Sequence, residues 1–587
     1  MDTAFADPFC KRKSHVNIVP RNILNLIDLQ KAIPLVTKKT GVVIVGGGPA
    51  GLMLAIELGC RDVPCIVLEE DAAGPDFPKA NATSSRTMEH FRRRGFSKEI
   101  RALGLTADHP QDIVYGGRLA EKELTRFVIP SRQQAADRSA FGDYGEDTWP
   151  TPELPHRAQQ MMIEPVMRVQ AQKYKSVQLL CGWRAESFSM DEQGVKVKVK
   201  STESQDSFDI ESAYMVGCDG PRSLVRKTLG LVYEGHTDGD RDFFGGQMLS
   251  VFFSSKDLYK VLAKERAWMY WAVNSEQRGM LVSIDGIDKF LFALQLKPGQ
   301  TAESVDFRTA AFKAIGANFD IDLIGVAPWF AGFTLVAEKF AKDRVFLAGD
   351  AAHLFTPTGG MGYNTSVDDA VNLGWKLAGV IHGWADEKIL ATYESERKPI
   401  AQRNTTFARA MADNIGKIKV PPAAEQPGAE GDVARAELGK ALNKHVRTEF
   451  NIPGLQLGLR YNKSQIIAPE NSPIPDDQPN IYIPSAKPGG RAPHLWINGQ
   501  SIFDLFGLDF TLLCLANIDS ADIADWQKQF DAAGVPLHIT YCDSKEARTL
   551  YEADRVLIRP DHHVAWRGAT VGGYDQIQKI IHMICAR

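Results

Sequence analysis

The run Val42-Val43-Ile44-Val45-Gly46-Gly47-Gly48-Pro49-Ala50-Gly51, continued by Leu52-Met53-Leu54-Ala55-Ile56-Glu57-Leu58, decides the fold. An apolar run reaches a glycine cluster, and a helical pattern begins at once. This reads as a buried parallel strand, a tight turn and a helix N-terminus. Gly46, Gly48 and Gly51 stand at G-x-G-x-x-G spacing. Gly46 permits the turn, Gly48 lets a pyrophosphate approach the backbone, and Gly51 allows close packing of helix on strand. Pro49 and Ala50 open the helix, whose free N–H groups and positive dipole end favour phosphate. A second apolar run, Cys65-Ile66-Val67-Leu68, ends in Glu69-Glu70. Glu69 follows Gly51 by eighteen positions, where an acid on the next strand end binds a ribose hydroxyl. A turn that served packing alone would leave Glu69 unexplained. Dinucleotide binding is therefore expected here.

Composition sets outer bounds. A chain of 587 residues accommodates about three to four domains. A net charge of −4 gives no footprint for nucleic acid or an anionic membrane surface. No apolar run reaches the ~18 residues of a spanning helix. Eight cysteines are scattered, with neither C-x-x-C nor metal-ligand spacing. They read as free thiols in a reducing cytoplasm, and no metal site is expected.

Residues 1–40 read as an appended N-terminal arm, with a short amphipathic helix near Ile23 to Ile33. Lys79 to Glu89 leads into a helix. Arg86 is there either a helix-surface charge or a phosphate or flavin contact. Residues 97–155 look irregular. A helix opens near Gln160, and Val195 to Lys200 alternates as a half-exposed antiparallel strand. Ala213 to Val216 ends in Gly217-Cys218-Asp219-Gly220, which repeats the strand–acid–glycine–helix logic of the first site. Close-set β-rich runs between 240 and 330 suggest an inserted antiparallel sheet. Trp268, Tyr270 and Trp271 lie in it; core packing is the commoner role for such aromatics, but one face of such a sheet lines a pocket.

Arg344 to Ala348 is a strand that ends in Gly349-Asp350. The glycine-rich loop Pro357 to Asn364 and a helix follow. The loop's N–H groups at the helix start can stabilise developing negative charge. Asp350 can take a ribityl or ribose hydroxyl. His353 invites a catalytic reading, but a lone histidine on an apolar passage is more often structural. After a proline-rich linker, residues 510–584 run βαβ…ββα, the order of a thioredoxin-like domain that lacks C-x-x-C.

Gly46 to Gly51, Asp219-Gly220 and Gly349-Asp350 with the Pro357 to Asn364 loop, in that order, resemble the single-component FAD-dependent aromatic hydroxylases (class A flavoprotein monooxygenases). The resemblance covers about residues 41–570. It is closest to the branch with an appended thioredoxin-like domain, which includes phenol, resorcinol and 3-(3-hydroxyphenyl)propionate hydroxylases and polyketide-tailoring enzymes. The implied fold is α/β (α+β overall). A Rossmann-like FAD-binding domain spans 41–235 and 336–405, with a substrate-binding β-sheet domain inserted at 236–335. A helical segment and linker occupy 406–480, and the thioredoxin-like domain 481–587.

The resemblance implies residue roles. Gly46, Gly48 and Gly51, with Pro49 and Ala50, hold the FAD pyrophosphate. Glu69, with Glu70 beside it, meets the adenosine ribose. Lys79 stands where the family usually has Arg, so the charge survives but bidentate binding does not. Arg86 and Gln160 match flavin-contacting positions. Asp219-Gly220 matches a motif credited with FAD and NAD(P)H binding. Asp350 binds the ribityl chain, Pro357 faces the substrate, and Gly360, Met361, Gly362, Tyr363 and Asn364 bind the pyrimidine end of the isoalloxazine. Asn81 replaces an Asp of phenol hydroxylase, and Leu291 and Ala293 replace its Arg and Tyr, so that enzyme's route to a phenolate is missing. His236 is a candidate base, with a solvated loop histidine as the plainer reading. Tyr270 and Trp271 are candidate substrate contacts.

The implied reaction consumes NADPH or NADH and O₂, and adds oxygen to a phenolic or polycyclic aromatic compound through a flavin C4a-hydroperoxide. The family also implies a homodimer. Two other readings are a halogenase or reductase on the same fold, and a flavin-binding protein without turnover. Trp268-Met269-Tyr270-Trp271 does not fit the Trp-x-Trp-x-Ile-Pro stretch of halogenases, and the intact Pro357 to Asn364 loop argues against lost catalysis.

Overall fold

A computed structural model of the chain describes residues 38–136, 144–145, 147–237, 243–516, 520–569 and 574–587. The helix expected in the N-terminal arm lies outside the described residues.

The opening run forms the strand Lys38–Val45. It pairs in parallel with Cys65–Glu69 on one side and Ser207–Gly217 on the other. Val177–Cys181 and Val345–Leu347 extend the sheet outward, also in parallel. Val42, Val43, Ile44 and Val67 are fully buried, because parallel strands are covered on both faces and so read as unbroken apolar runs. The helix Pro49–Gly59 packs against the long helix Met361–Ile381. Gly374 allows that approach, since a Cβ there would lie 2.6 Å from Glu57 Cβ. Trp183–Met190 and Val195–Ser201 fold as an antiparallel meander on the first half of Ser207–Gly217. The valines of Val195–Ser201 are buried and Lys196 and Lys198 exposed, as alternation requires.

A second sheet has seven strands in the order Asp322–Phe330, Gln247–Ser254, Lys289–Gln295, Arg278–Ser283, Met269–Val273, Ile113–Gly116, Glu123–Phe127. The last two come from the stretch 97–155, whose pattern reads as irregular. Ile113–Gly116 adds in parallel to Met269–Val273, a non-local pairing that short, weakly patterned strands do not announce. The sheet has two apolar faces. Val114, Tyr270, Ala272, Phe290, Phe292 and Leu294 pack on an outer core with the helices Leu258–Leu262 and Phe307–Ile315. Tyr115, Met269, Trp271, Val282 and Leu291 face the core shared with the dinucleotide-binding part.

The C-terminal sheet runs Leu537–Tyr541, Phe510–Cys514, Arg555–Ile558, Val564–Gly568, with the first pair parallel and the others antiparallel. The helices Ser520–Ala533 and Tyr574–Ile584 pack on each other beside it. This is the thioredoxin-like order read from the sequence. Phe510 docks edge-on to Trp375 of the helix Met361–Ile381, with ring centroids 5.8 Å apart. No helix among the described residues is long and apolar enough to cross a membrane. The seven described cysteines are free.

Candidate active site

The glycine loop has the geometry its spacing predicts. Gly46 has φ +104°, and a Cβ there would lie 2.3 Å from the Cys218 carbonyl oxygen. The Asp219-Gly220 turn is thus packed directly on the loop. A Cβ on Gly51 would meet the Gly46 carbonyl at 1.9 Å. A Cβ on Gly48 would meet nothing within 4 Å, so the loop is open at the glycine expected to receive phosphate. Gly48 is also the N-cap of Pro49–Gly59 and offers no capping side chain, which leaves the first N–H groups without an intrahelical partner.

Glu69 accepts the Gly47 N–H at 2.7 Å and the Asp71 N–H at 2.8 Å. The strand-end carboxylate is therefore fixed against the loop, while Glu70 is exposed. The helix Gln160–Gln172 starts alongside. The Gln160 N–H donates to the Ala80 carbonyl at 2.8 Å, and its side-chain amide donates to Glu164 Oε1 at 2.5 Å. Glu164 went unread in the sequence. It is 4 % exposed, and burial pushes its carboxyl up to about 7, with Glu69 adding to the rise against Gln160, Arg168 and Lys79. Lys79 is exposed, and its charge is felt at both Glu164 and Asp350. It therefore stands between the two halves of the cleft.

The second half is built on the strand Val345–Leu347. Gly349 has φ +64° and donates its N–H to Asp369 Oδ2 at 3.2 Å. The Asp350 side chain is exposed to the cleft, yet the surrounding protein desolvates it enough to raise its carboxyl. His353 is fully buried against Asp369 at 2.5 Å, and Arg397 holds the other Asp369 oxygen at 2.8 Å. The structural reading of His353 is the one realised. Pro357 is exposed at the head of the next loop. Gly359 and Gly360 take φ +70° and +63°, and Met361 starts the helix behind them. Tyr363 keeps a buried hydroxyl near the Thr83 side chain.

The FAD binding domain family matches residues 39–408, and the aromatic-ring hydroxylase C-terminal family matches residues 485–587. The chain belongs to the FAD-binding domain family. The FAD-dependent monooxygenase apdD of Emericella nidulans is 27 % identical over 583 residues, covering 94 % of this chain and 92 % of that one. Aklavinone 12-hydroxylase RdmE of Streptomyces purpurascens is 30 % identical over 557 residues, covering 90 % and 95 %. The solved structure of the rebeccamycin biosynthetic enzyme RebC with reduced flavin superposes with a TM-score of 0.83 at 29 % identity, covering 94 % of this chain and 99 % of that one. The residues present fit FAD: Gly48 leaves room for a pyrophosphate, Glu69 and Asp350 stand at two strand ends of one cleft, and the Pro357 to Asn364 loop closes it with a helix start.

Several side chains of this FAD-binding domain point elsewhere than the family resemblance implied. Arg86 is 2 % exposed; it binds Glu89 at 3.0 Å and donates to the Asp561 carbonyl of the C-terminal domain. Two of its guanidinium nitrogens are thus committed to protein partners, while Nε stands 3.9 Å from Asp368 Oδ1 without a hydrogen bond. Asn364 uses its whole amide on protein. Its oxygen accepts from the Ser84 N–H and Thr87 hydroxyl, and its nitrogen donates to the Ala82 and Gly360 carbonyls. It therefore staples the loop rather than presenting a side chain to flavin. Asp219 accepts from Ser223 Oγ at 2.6 Å and the Val225 N–H at 3.1 Å, which caps the next helix. Tyr270 is on the outer face of the seven-stranded sheet and accepts the Ala267 N–H at 2.7 Å. It is not a substrate contact, since adjacent strand residues point to opposite faces. Trp271 does face inward, stacked on Tyr115 with centroids 5.7 Å apart, and its indole N–H has no partner among the described residues. Leu291 faces the same way, and Ala293, two residues on, shares that face. Asn81 is half-buried in the loop before Ala82, and His236 is exposed at the end of Tyr233–His236, opposite Thr334.

Sequence reading missed Arg157. It sits in a two-residue strand paired with Ala82–Thr83, with its guanidinium 4.2 Å over the Trp268 ring. Burial lowers it to about 10. Arg157, Ser84, Gly359 and Glu449 line one small cavity beside the Pro357 loop.

Proposed function

We propose that this protein hydroxylates a phenolic or polycyclic aromatic compound, using FAD, NADPH or NADH, and O₂. The observation that carries this reading is a juxtaposition. A dinucleotide cleft ends in a glycine loop at a helix start, and the loop adjoins a buried aromatic sheet face. Bound FAD supplies electron transfer from the nicotinamide and activation of oxygen.

The chain's own residues do the rest. The N–H groups behind Gly48 and the Lys79 ammonium hold phosphate. Glu69 and Asp350 accept hydroxyls of the ribose and ribityl segments. The helix start at Gly360 to Tyr363 favours negative charge at the pyrimidine end. Trp271, Tyr115 and Leu291 shape an apolar, water-excluding wall, and Pro357 closes the cleft towards it. Two relatives support a large aromatic substrate: aklavinone 12-hydroxylase, and an aklavinone-11 hydroxylase whose solved structure holds FAD and aklavinone. A homodimer in the cytoplasm belongs to the same proposal; the free cysteines suit a reducing compartment.

The test is NADPH and NADH oxidation by the FAD-loaded protein in air, with a panel of simple phenols, hydroxynaphthoquinones and hydroxyanthraquinones, followed by mass spectrometry. Substrate-stimulated oxidation with a product one oxygen atom heavier is expected. A halogenated or merely reduced product, or no stimulation by any compound, would overturn the reading.

A further inference from the structure

Of the positions expected to activate a phenol, only His236 carries a base, and it is exposed at the end of Tyr233–His236; the others hold no acid or base aimed at the cavity. Asn81 is an amide, Leu291 and Ala293 are apolar, and Tyr270 faces the outer core. A carboxylate reaches the cavity from another direction. The helix Ala429–Phe450 carries His445 and Glu449 one turn apart, and both are buried, at 5 % and 2 % exposure. Glu449 Oε1 accepts the Gly359 N–H at 3.0 Å, two residues beyond Pro357. Glu449 Oε2 lies 3.0 Å from His445 Nε2, but the pair is misaligned and both atoms lack a hydrogen-bond partner among the described residues. A buried carboxylate oxygen left unsatisfied is costly, and such a group calls for a ligand.

The cavity has room for about one water-sized group, which suits the hydroxyl of a substrate ring rather than the ring itself. Glu449, Phe450, Arg157 and Gln456 line the cavity together. Trp268 is edge-on to Phe450, with centroids 6.0 Å apart. The buried Tyr115 hydroxyl also has no partner among the described residues. Burial first, then the Glu449 charge, holds that phenol protonated, against Arg278. Tyr115 is thus a donor, and Glu449 the acceptor, at the edge of the aromatic wall.

We propose that Glu449 takes the hydroxyl proton of the aromatic substrate, with His445 as the positioning residue that receives it. This rests on the hydroxylase reading above. The substrate O–H bond breaks and an O–H bond forms at Glu449 Oε2. The electron pair stays on the substrate oxygen, so the ring becomes a phenolate and a better nucleophile. The proton then passes to His445 Nε2, which leaves an imidazolium beside a restored carboxylate. No electron is transferred. Tyr115, on the seven-stranded sheet, feels both Glu449 and Arg278, and Arg157, from the strand before Gln160, lines the same cavity as Glu449.

The experiment uses the holoenzyme and whichever phenol of the panel it hydroxylates fastest. Glu449→Gln keeps an oxygen for the Gly359 N–H but is no base; His445→Asn is the second variant, and carries the test if the first fails to hold FAD. Three readouts are taken: FAD affinity, the pH profile of kcat, and the absorbance spectrum of the bound phenol without reductant. The expected result is unchanged FAD affinity with a fall in kcat of about a hundredfold or more below the phenol's own pKa. The rate should recover above that pKa, and the bound phenol should be an anion in the wild type and neutral in Glu449→Gln. Wild-type pH profiles in the variants, or an anion bound by Glu449→Gln, would overturn the proposal and leave the hydroxylase reading intact. Failure of the wild type to hydroxylate any phenol would overturn both.

Discussion

Arg559 and Glu396 meet as a two-pronged pair, Nη1 to Oε1 at 2.7 Å and Nη2 to Oε2 at 2.9 Å, with both side chains fully buried. Arg559 belongs to the C-terminal domain and Glu396 to the helix Ala391–Lys417 of the FAD-binding part. Lys376 adds a third contact at 2.7 Å, and Asp561 binds the same guanidinium. Arg491 donates to Glu89, which also binds Arg86. The C-terminal domain is thus riveted to the flavin-binding part by buried charge, and that is a structural duty which needs no C-x-x-C.

Removing one member of such a network strands the others. Arg559→Met leaves Glu396 with Lys376 as its one remaining cationic partner, beside the Asn372 and Ser464 hydrogen bonds, and Asp561 without its guanidinium. A loss of about 3–5 kcal/mol is expected, measured as a lowered urea midpoint. Restoring wild-type stability with the double variant Arg559→Met, Glu396→Gln would show that the single loss comes from uncompensated charge.

Gly48 and Gly51 separate binding from folding. Gly48→Ala puts its Cβ into open space, so the apoprotein should keep its thermal midpoint while FAD binds about tenfold or more weaker, at least about 1.4 kcal/mol. Gly51→Ala drives a Cβ onto the Gly46 carbonyl, and should lower stability of the apoprotein itself. Fluorescence titration with FAD and thermal unfolding distinguish the two.

Glu164 makes the apoprotein pH-sensitive. Its folded pKa is raised from 4.5 to about 7, so the folded state holds a proton that the unfolded chain has released. The proton-linked stability is full below 4.5 and is lost as pH rises towards 7. The shift corresponds to about 3 kcal/mol. Glu164→Gln should flatten this part of the stability–pH curve and be the more stable form at pH 8. Urea unfolding at a series of pH values checks it; a wild-type curve that rises from pH 4.5 to 7 in step with the variant would refute it.

Neighbouring aromatics on one strand should behave oppositely. Tyr270→Phe loses its bond to the Ala267 N–H and should cost about 1 kcal/mol of stability with KM unchanged. Trp271→Ala should raise KM for the aromatic substrate several-fold. Equal KM effects at the two positions would contradict the assignment of the sheet's faces.

Much of the FAD-binding fold was legible because its signals are local. Gly46, with φ +104° and no room for a Cβ, and Gly51, whose Cβ would meet the Gly46 carbonyl, can be only glycine and so announce the turn. A strand buried on both faces has to be apolar throughout, so Val42–Val45 and Cys65–Leu68 announce the parallel sheet. The strands at 113–116 and 123–127 were not legible, because short, weakly patterned strands are fixed by the neighbours they join. The face of Tyr270 was not legible either. Two adjacent aromatics guarantee that one faces inward, but the pattern does not say which when both faces are apolar.

The sequence by itself determined the strand–loop–helix units, the acids Glu69 and Asp350 at their ends, and the order of domains, since each depends on backbone periodicity and turn geometry within a few residues. Only the tertiary structure decided which polar side chains stay available. Arg86 and Asn364 look like flavin contacts in the chain, but folding brings Asp561 to the first and Ser84, Thr87 and Ala82 to the second. Glu449 has no motif, yet packing sets it against Gly359, ninety residues away. A buried charge or amide takes the partners that packing delivers, and those lie too far along the chain for any local pattern to register.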